Sequence, residues 1–211
     1  MTSISGDKPI VLESYKQTTN YTGAASALMS IINYFKKDYE MDEDNELDIW
    51  LKTAILPTRA SSVFGLALYA KQIGLEPKIV IEDKNYTYPD YRFKRYTKKQ
   101  IELAEKVAKR YLAKCEEERI LIVEKDFDVN YIDSLLSKEK ILLVRLNAGR
   151  LRGTKSTSKY LVIYKKSKRD PNKYFIIDPR RRRKKVTREM LEEALVELKT
   201  KKKREKSMIV F

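Results

Sequence analysis

Apolar residues in the first third of the chain recur at the spacing of a helix face. Ala25, Leu28, Met29, Ile32 and Phe35 follow Tyr21 and Thr22 in this way, which predicts an amphipathic helix. Leu47, Trp50, Leu51 and Ala54 form a second, shorter stripe. Ser62 stands where an N-cap belongs, before a third apolar helix that ends at Gly74. The pattern then changes. Residues 78–82 (KIVIE) are β-branched and short, as a first strand should be, and residues 85–96 (NYTYPDYRFKRY) hold too many turn formers for anything but an ordered loop. Thr97 and Gln100 make a capping box for a long helix whose Ile101, Ala104, Val107, Ala108, Tyr111, Leu112 and Cys115 share one face. That face makes Cys115 a core residue.

Beyond Arg119 the apolar residues come in runs, at 120–123, 141–146, 160–164 and 174–177, with a short helix capped by Asp128 between the first two. These runs predict a sheet of at least four strands. A last helix after Thr187 presents Met190, Leu191, Ala194, Leu195 and Leu198 on one side, and SMIVF closes the sequence as a further strand. Helices first and a largely antiparallel sheet afterwards describe an α+β fold. With no repeat and no Gly/Ser or Pro-rich linker, 1–211 is expected to be one domain. Its helical part covers about 14–75, its sheet part about 76–211, and 180–211 forms a basic C-terminal element.

Composition narrows the chemistry. The chain has no histidine and one cysteine, so an intrachain disulfide, a multi-cysteine metal site and histidine acid–base chemistry are all excluded. No glycine-rich phosphate loop is present, and neither a cofactor nor a metal is expected. No stretch approaches the roughly 20 apolar residues of a membrane span, and the N-terminus lacks the order of a signal peptide, so the expected location is the cytoplasm. Lys, Glu and Arg dominate the polar segments, a bias also found in proteins from hot environments. The net charge of +15 points to anionic partners, against the alternative of a merely solubilising surface.

The segment QTTNYTGAASALMSIINYF, residues 17–35, resembles the active-site entry of papain-like cysteine peptidases, in the branch similar to bacteriocin-processing peptidases. There a glutamine precedes a threonine/aromatic run, a cysteine and small residues that open a helix. SKYLVIYKK sits where that family has a histidine opening a strand, and YFIIDP where the next strand ends in Asp-Pro. The likeness extends over most of residues 10–180. It implies a papain-like fold, with Gln17 as the oxyanion-hole glutamine and Asp178 as the group that orients the base. The cysteine position falls on Gly23, or on Thr22 if Gly23 is the glycine that follows the cysteine, and the histidine position falls on Lys159. In such sites a thiolate is stabilised at a helix N-terminus beside an imidazolium, and an amide holds the tetrahedral oxyanion. With no thiol and no imidazole in these positions, the resemblance implies a degenerate peptidase that binds rather than cleaves. The alternatives are a residual hydrolase or acyltransferase using Thr22 with Lys159 as base, and a substituted form of an active enzyme. Gln17 and Asp178 also have plain structural readings, as a backbone bridge and a turn start.

Two basic runs complete the candidate surface. Arg180, Arg181, Arg182, Arg183, Lys184 and Lys185 are consecutive and form a candidate anion-binding patch, and 199–206 adds a second cluster. Tyr88, Tyr91, Arg92, Arg95 and Tyr96 interleave rings with cations, a composition suited to stacking bases or gripping an acidic peptide. The expected partner is therefore an acidic protein or peptide, or else RNA or the ribosome.

Overall fold

The structure, a computed structural model, describes residues 10–84, 96–202 and 204–211. The segment holding Tyr88, Tyr91, Arg92 and Arg95 lies outside the described residues, whereas Tyr96 is half-buried just before the long helix.

The stripe of Ala25, Leu28, Met29 and Ile32 forms α1 (Gly23–Phe35), with Leu28, Met29, Ile31 and Ile32 all fully buried. Each such side chain contributes about 1.5–3 kcal/mol, so burial rather than propensity holds this helix. The second helix, α2 (Glu43–Thr53), starts at Asp42, whose carboxylate accepts from Asn45 N at 2.8 Å. Ala54 does not continue that helix. It opens β1 (Ala54–Ile55), which pairs with β2 (Ala60–Ser61) in a small hairpin that its helical spacing did not predict. Ser62 holds the N-cap position of α3 (Val63–Gln72) without a side-chain capping bond, and Gly74 follows the helix at φ 84°.

Strand β3 (Lys78–Ile81) precedes α4 (Lys98–Glu117), where Thr97 and Gln100 form the expected capping box. Then come β4 (Ile122–Glu124), α5 (Val129–Leu136) capped by Asp128, and β5 (Leu142–Asn147). A five-residue helix, α6 (Ala148–Arg152), leads into β6 (Ser158–Lys166) and β7 (Lys173–Asp178). Four residues of the basic block, read from sequence as a candidate anion-binding patch, fall in a further strand, β8 (Arg182–Thr187). The chain continues through α7 (Arg188–Thr200), capped by Thr187, to β9 (Ser207–Val210).

Seven strands form one sheet in the order β4-β3-β9-β5-β6-β7-β8. The β3–β4 pair is parallel and every other neighbouring pair antiparallel, so the fold is α+β around a mixed sheet. Alternation along the strands divides the core. Tyr160, Val162 and Tyr164 of β6 join one cluster with α1 and α3, and Leu161 and Ile163 join another with α5 and α7. Cys115 lies in the first cluster, fully buried, with Sγ 3.4 Å from Phe64 O. Among the described residues no helix is long and apolar enough to cross a membrane.

Candidate functional site

The start of α1, the segment before it, the entry of β6 and the exit of β7 meet at one place. Three contacts fix the segment that carries Gln17. Tyr15 O accepts from Ser26 Oγ at 2.9 Å, and Gln17 N donates to Pro179 O at 3.0 Å. Glu46, fully buried on α2, accepts from Thr18 N at 3.1 Å and from Thr18 Oγ1 at 2.7 Å. These bonds place Gln17 over the first turn of α1 and beside the Asp178–Pro179 turn.

Gly23 opens α1 and faces the Gln17 side chain. A Cβ built on Gly23 would lie 2.6 Å from Gln17 Oε1 and 3.8 Å from Pro179 Cβ. Glycine thus lets the Gln17 amide settle where a larger residue's side chain would begin, and Gln17 Nε2 is occupied by Thr19 O. Thr22 is fully buried and turned into its own loop. Its Oγ1 lies 3.0 Å from Thr19 Oγ1 and accepts from Thr19 N at 3.3 Å, and it does not cap α1.

Lys159, on β6, reaches the same loop and donates from Nζ to Asn20 O at 2.5 Å. Burial, and after it the charges of Arg152 and Arg180, hold its pKa below the usual lysine value. No hydrogen bond joins it to Thr22 or Asp178 among the described residues. Asp178 instead makes a bidentate ion pair with Arg152, Nε to Oδ2 at 2.8 Å and Nη2 to Oδ1 at 2.6 Å, with both side chains buried. Burial opposes the charge of Asp178, but the Arg152 bonds and the Arg180 N–H, 3.0 Å from Oδ1, outweigh it and keep the carboxyl below its ordinary pKa. Gln17, Gly23, Lys159 and Asp178 therefore lie around the start of α1, with Asp178 committed to Arg152 and without a hydrogen bond to Lys159.

Arg152 and Glu46 are charged neighbours of these residues that sequence reasoning missed. A buried charge carries no local mark in the sequence that separates it from a surface one.

The basic block divides. Arg180 lines a cleft of about 380 Å³ together with Gln17, Asn20, Lys155, Ser156 and Lys159. Arg181 Nη1 and Lys184 Nζ donate to Arg152 O and Leu151 O, at 3.2 and 2.5 Å, and so tie α6 to the sheet. Arg182, Arg183 and Lys185 are exposed on β8, with Lys185 Nζ 4.9 Å from the centre of the Phe175 ring. In the second basic cluster, Lys199 pairs with Glu82, Lys201 with Glu197 and Lys206 with Asp126, so much of it is structural. Among the described residues no group of three acidic or cysteine side chains could hold a metal ion.

A family model described as the Peptidase_C39 like family matches residues 12–207. No curated protein matches the chain.

Proposed function

Because this chain belongs to the Peptidase_C39 like family, related to the papain-like peptidases, we propose that it keeps the family's cleft without the chemistry and binds an acidic peptide or protein there. The observation that carries this reading is the contact between Gly23 and Gln17. A peptidase needs a thiolate at the start of this helix and an amide beside it free to receive an oxyanion. Here the Gln17 amide oxygen lies where a side chain at position 23 would begin, and its N–H is bonded to Thr19 O. Lys159 donates to Asn20 O and makes no hydrogen bond to Thr22, so the Thr22 hydrolase alternative lacks its base. The cations of the cleft favour an anionic occupant. The cytoplasm is the compartment we assign, in keeping with a lone reduced and buried cysteine.

An electrophilic acyl probe tests the loss of chemistry. The wild-type chain should remain unlabelled. Labelling that disappears in Thr22→Ala would restore the hydrolase. The double variant Gly23→Cys, Lys159→His should react with iodoacetamide far faster than Cys115, whose thiol burial pushes up to about 12. A fluorescent glutamate-rich peptide tests the binding itself by anisotropy, and no saturable binding at low salt would sink the module.

A second reading, contact with RNA, is favoured by the exposure of Arg182, Arg183 and Lys185 along the last strand of the sheet.

A further inference from the structure

The cleft beside Gln17 holds an excess of positive charge that the fold itself does not balance. Arg152 is neutralised by Asp178, but Lys155, Lys159 and Arg180 have no carboxylate in ion-pair range among the described residues. Burial and the charges of Arg152 and Arg180 bear on Lys159 with no carboxylate to offset them. Ser156, in the same wall, has a buried hydroxyl without a hydrogen-bond partner.

Lys155 and Arg180 are exposed at the rim of the cleft, Ser156 and Lys159 are half-buried in it, and the backbone that carries Lys155 and Ser156 is fixed. Ala148 N donates to Thr157 O at 2.8 Å, Thr157 N to Asn147 Oδ1 at 2.9 Å and Thr154 N to Gly149 O at 2.9 Å, so the segment bearing Lys155 and Ser156 is bonded back onto α6. Gly149 permits this close approach, since a Cβ there would meet the backbone of Lys155 and lie 2.8 Å from Ser156 Cα. The opposite wall is the Gln17 to Asn20 loop, with Asn20 O holding the Lys159 ammonium.

Three cations and an unpartnered hydroxyl lining one cleft exceed what one carboxylate can answer. A carboxylate brings a single charge and two oxygens. A phosphoryl group brings nearly two charges and three acceptor oxygens, and can take donors from both walls. We infer that the cleft formed by Gln17, Asn20, Lys155, Ser156, Lys159 and Arg180 is a binding site for a phosphoryl group. This rests on the binding-module reading above and supplies the anionic group of its partner. The size of the cleft suits a phosphomonoester or a phosphorylated side chain, and the strand-edge cations Arg182, Arg183 and Lys185 are not part of it.

Isothermal titration of the full chain tests this with inorganic phosphate, a phosphoserine pentapeptide and the same pentapeptide with aspartate in place of phosphoserine. Saturable binding of phosphate and of the phosphopeptide is expected, with competition between them and weaker binding of the aspartate form. Arg180→Gln and Lys159→Gln should each weaken phosphate by about tenfold, the worth of one charge-assisted hydrogen bond. Lys168→Gln removes the same charge from an exposed site outside the cleft and should change it less than twofold. Thermal melts check that the variants are folded. If Lys168→Gln weakens binding as much as the cleft variants, or if no phosphate species binds saturably, the site is overturned. If an unphosphorylated acidic peptide binds and phosphate fails to displace it, this inference falls while the binding module stands. If phosphate binds through Arg180 and neither peptide does, the site stands for a free phosphomonoester and the peptide module falls.

Discussion

Glu205 lies just before β9, with Oε2 buried and unpartnered and Oε1 3.9 Å from Arg145 Nη1. Burial pushes its pKa up to about 7, Asp83 and Glu82 add to the rise, and Arg145 and Arg204 oppose it. An unfolded glutamate titrates near 4.3, so between those two values the native chain holds a proton that the unfolded chain has released. Stability should therefore fall as pH rises from about 4.3 to about 7, by roughly 4 kcal/mol, and level off above. Glu205→Gln should flatten that slope and raise the midpoint of thermal unfolding at pH 8. An unchanged profile would mean that Glu205 is solvated in the native state. The same kind of side chain marks the limit of what residues disclose in isolation. Thr97, Asp128 and Thr187 could be read as caps because their partners are three residues away. Glu46 and Arg152 could not, because the groups that justify burying them stand 28 and 26 residues off in the chain.

Among the elements, α6 and the segment after it have the closest bearing on the cleft. Five helical residues followed by Gly153 at φ 64° turn the chain back so that 155–157 lies against the helix. Gly149→Ala would thrust a methyl into that backbone, which cannot swing aside as a side chain could. A loss of about 1–3 kcal/mol in urea unfolding is expected, together with weaker phosphate binding. Full retention of both would show that the segment shifts freely. Neither α6 nor β8 was legible beforehand. The periodic stripes that disclosed α1, α4 and α7 need one apolar face along many residues, and α6 is too short to show one. Arg182, Arg183, Lys184 and Lys185 look like solvated charge until β7 is available to pair with them. The hairpin of β1 and β2 is hidden for the same reason, as two-residue strands have no pattern.

For the whole molecule, charge is unevenly placed. The first turn of α2 carries Glu43, Asp44 and Glu46, whereas the surplus cations gather around β6, β7 and β8. The RNA reading predicts that Arg182→Gln, Arg183→Gln and Lys185→Gln together reduce the slope of log affinity against log salt by about 2 for a single strand, measured by filter binding. An unaltered slope would remove the strand edge from any nucleic-acid contact and leave the cleft as the seat of anion recognition. The convergence of Gln17, Gly23, Lys159 and Asp178 was foreseeable only through resemblance, since nothing local joins residues from the two ends of the chain. The position of β9 was likewise hidden, although its apolar run was plain. Ser207–Val210 lies between β3 and β5, bonded to both. Without β9, β3 with β4 and the β5 to β8 meander have no strand joining them, and each presents an open edge to other pairing partners, so the unity of the sheet depends on four residues.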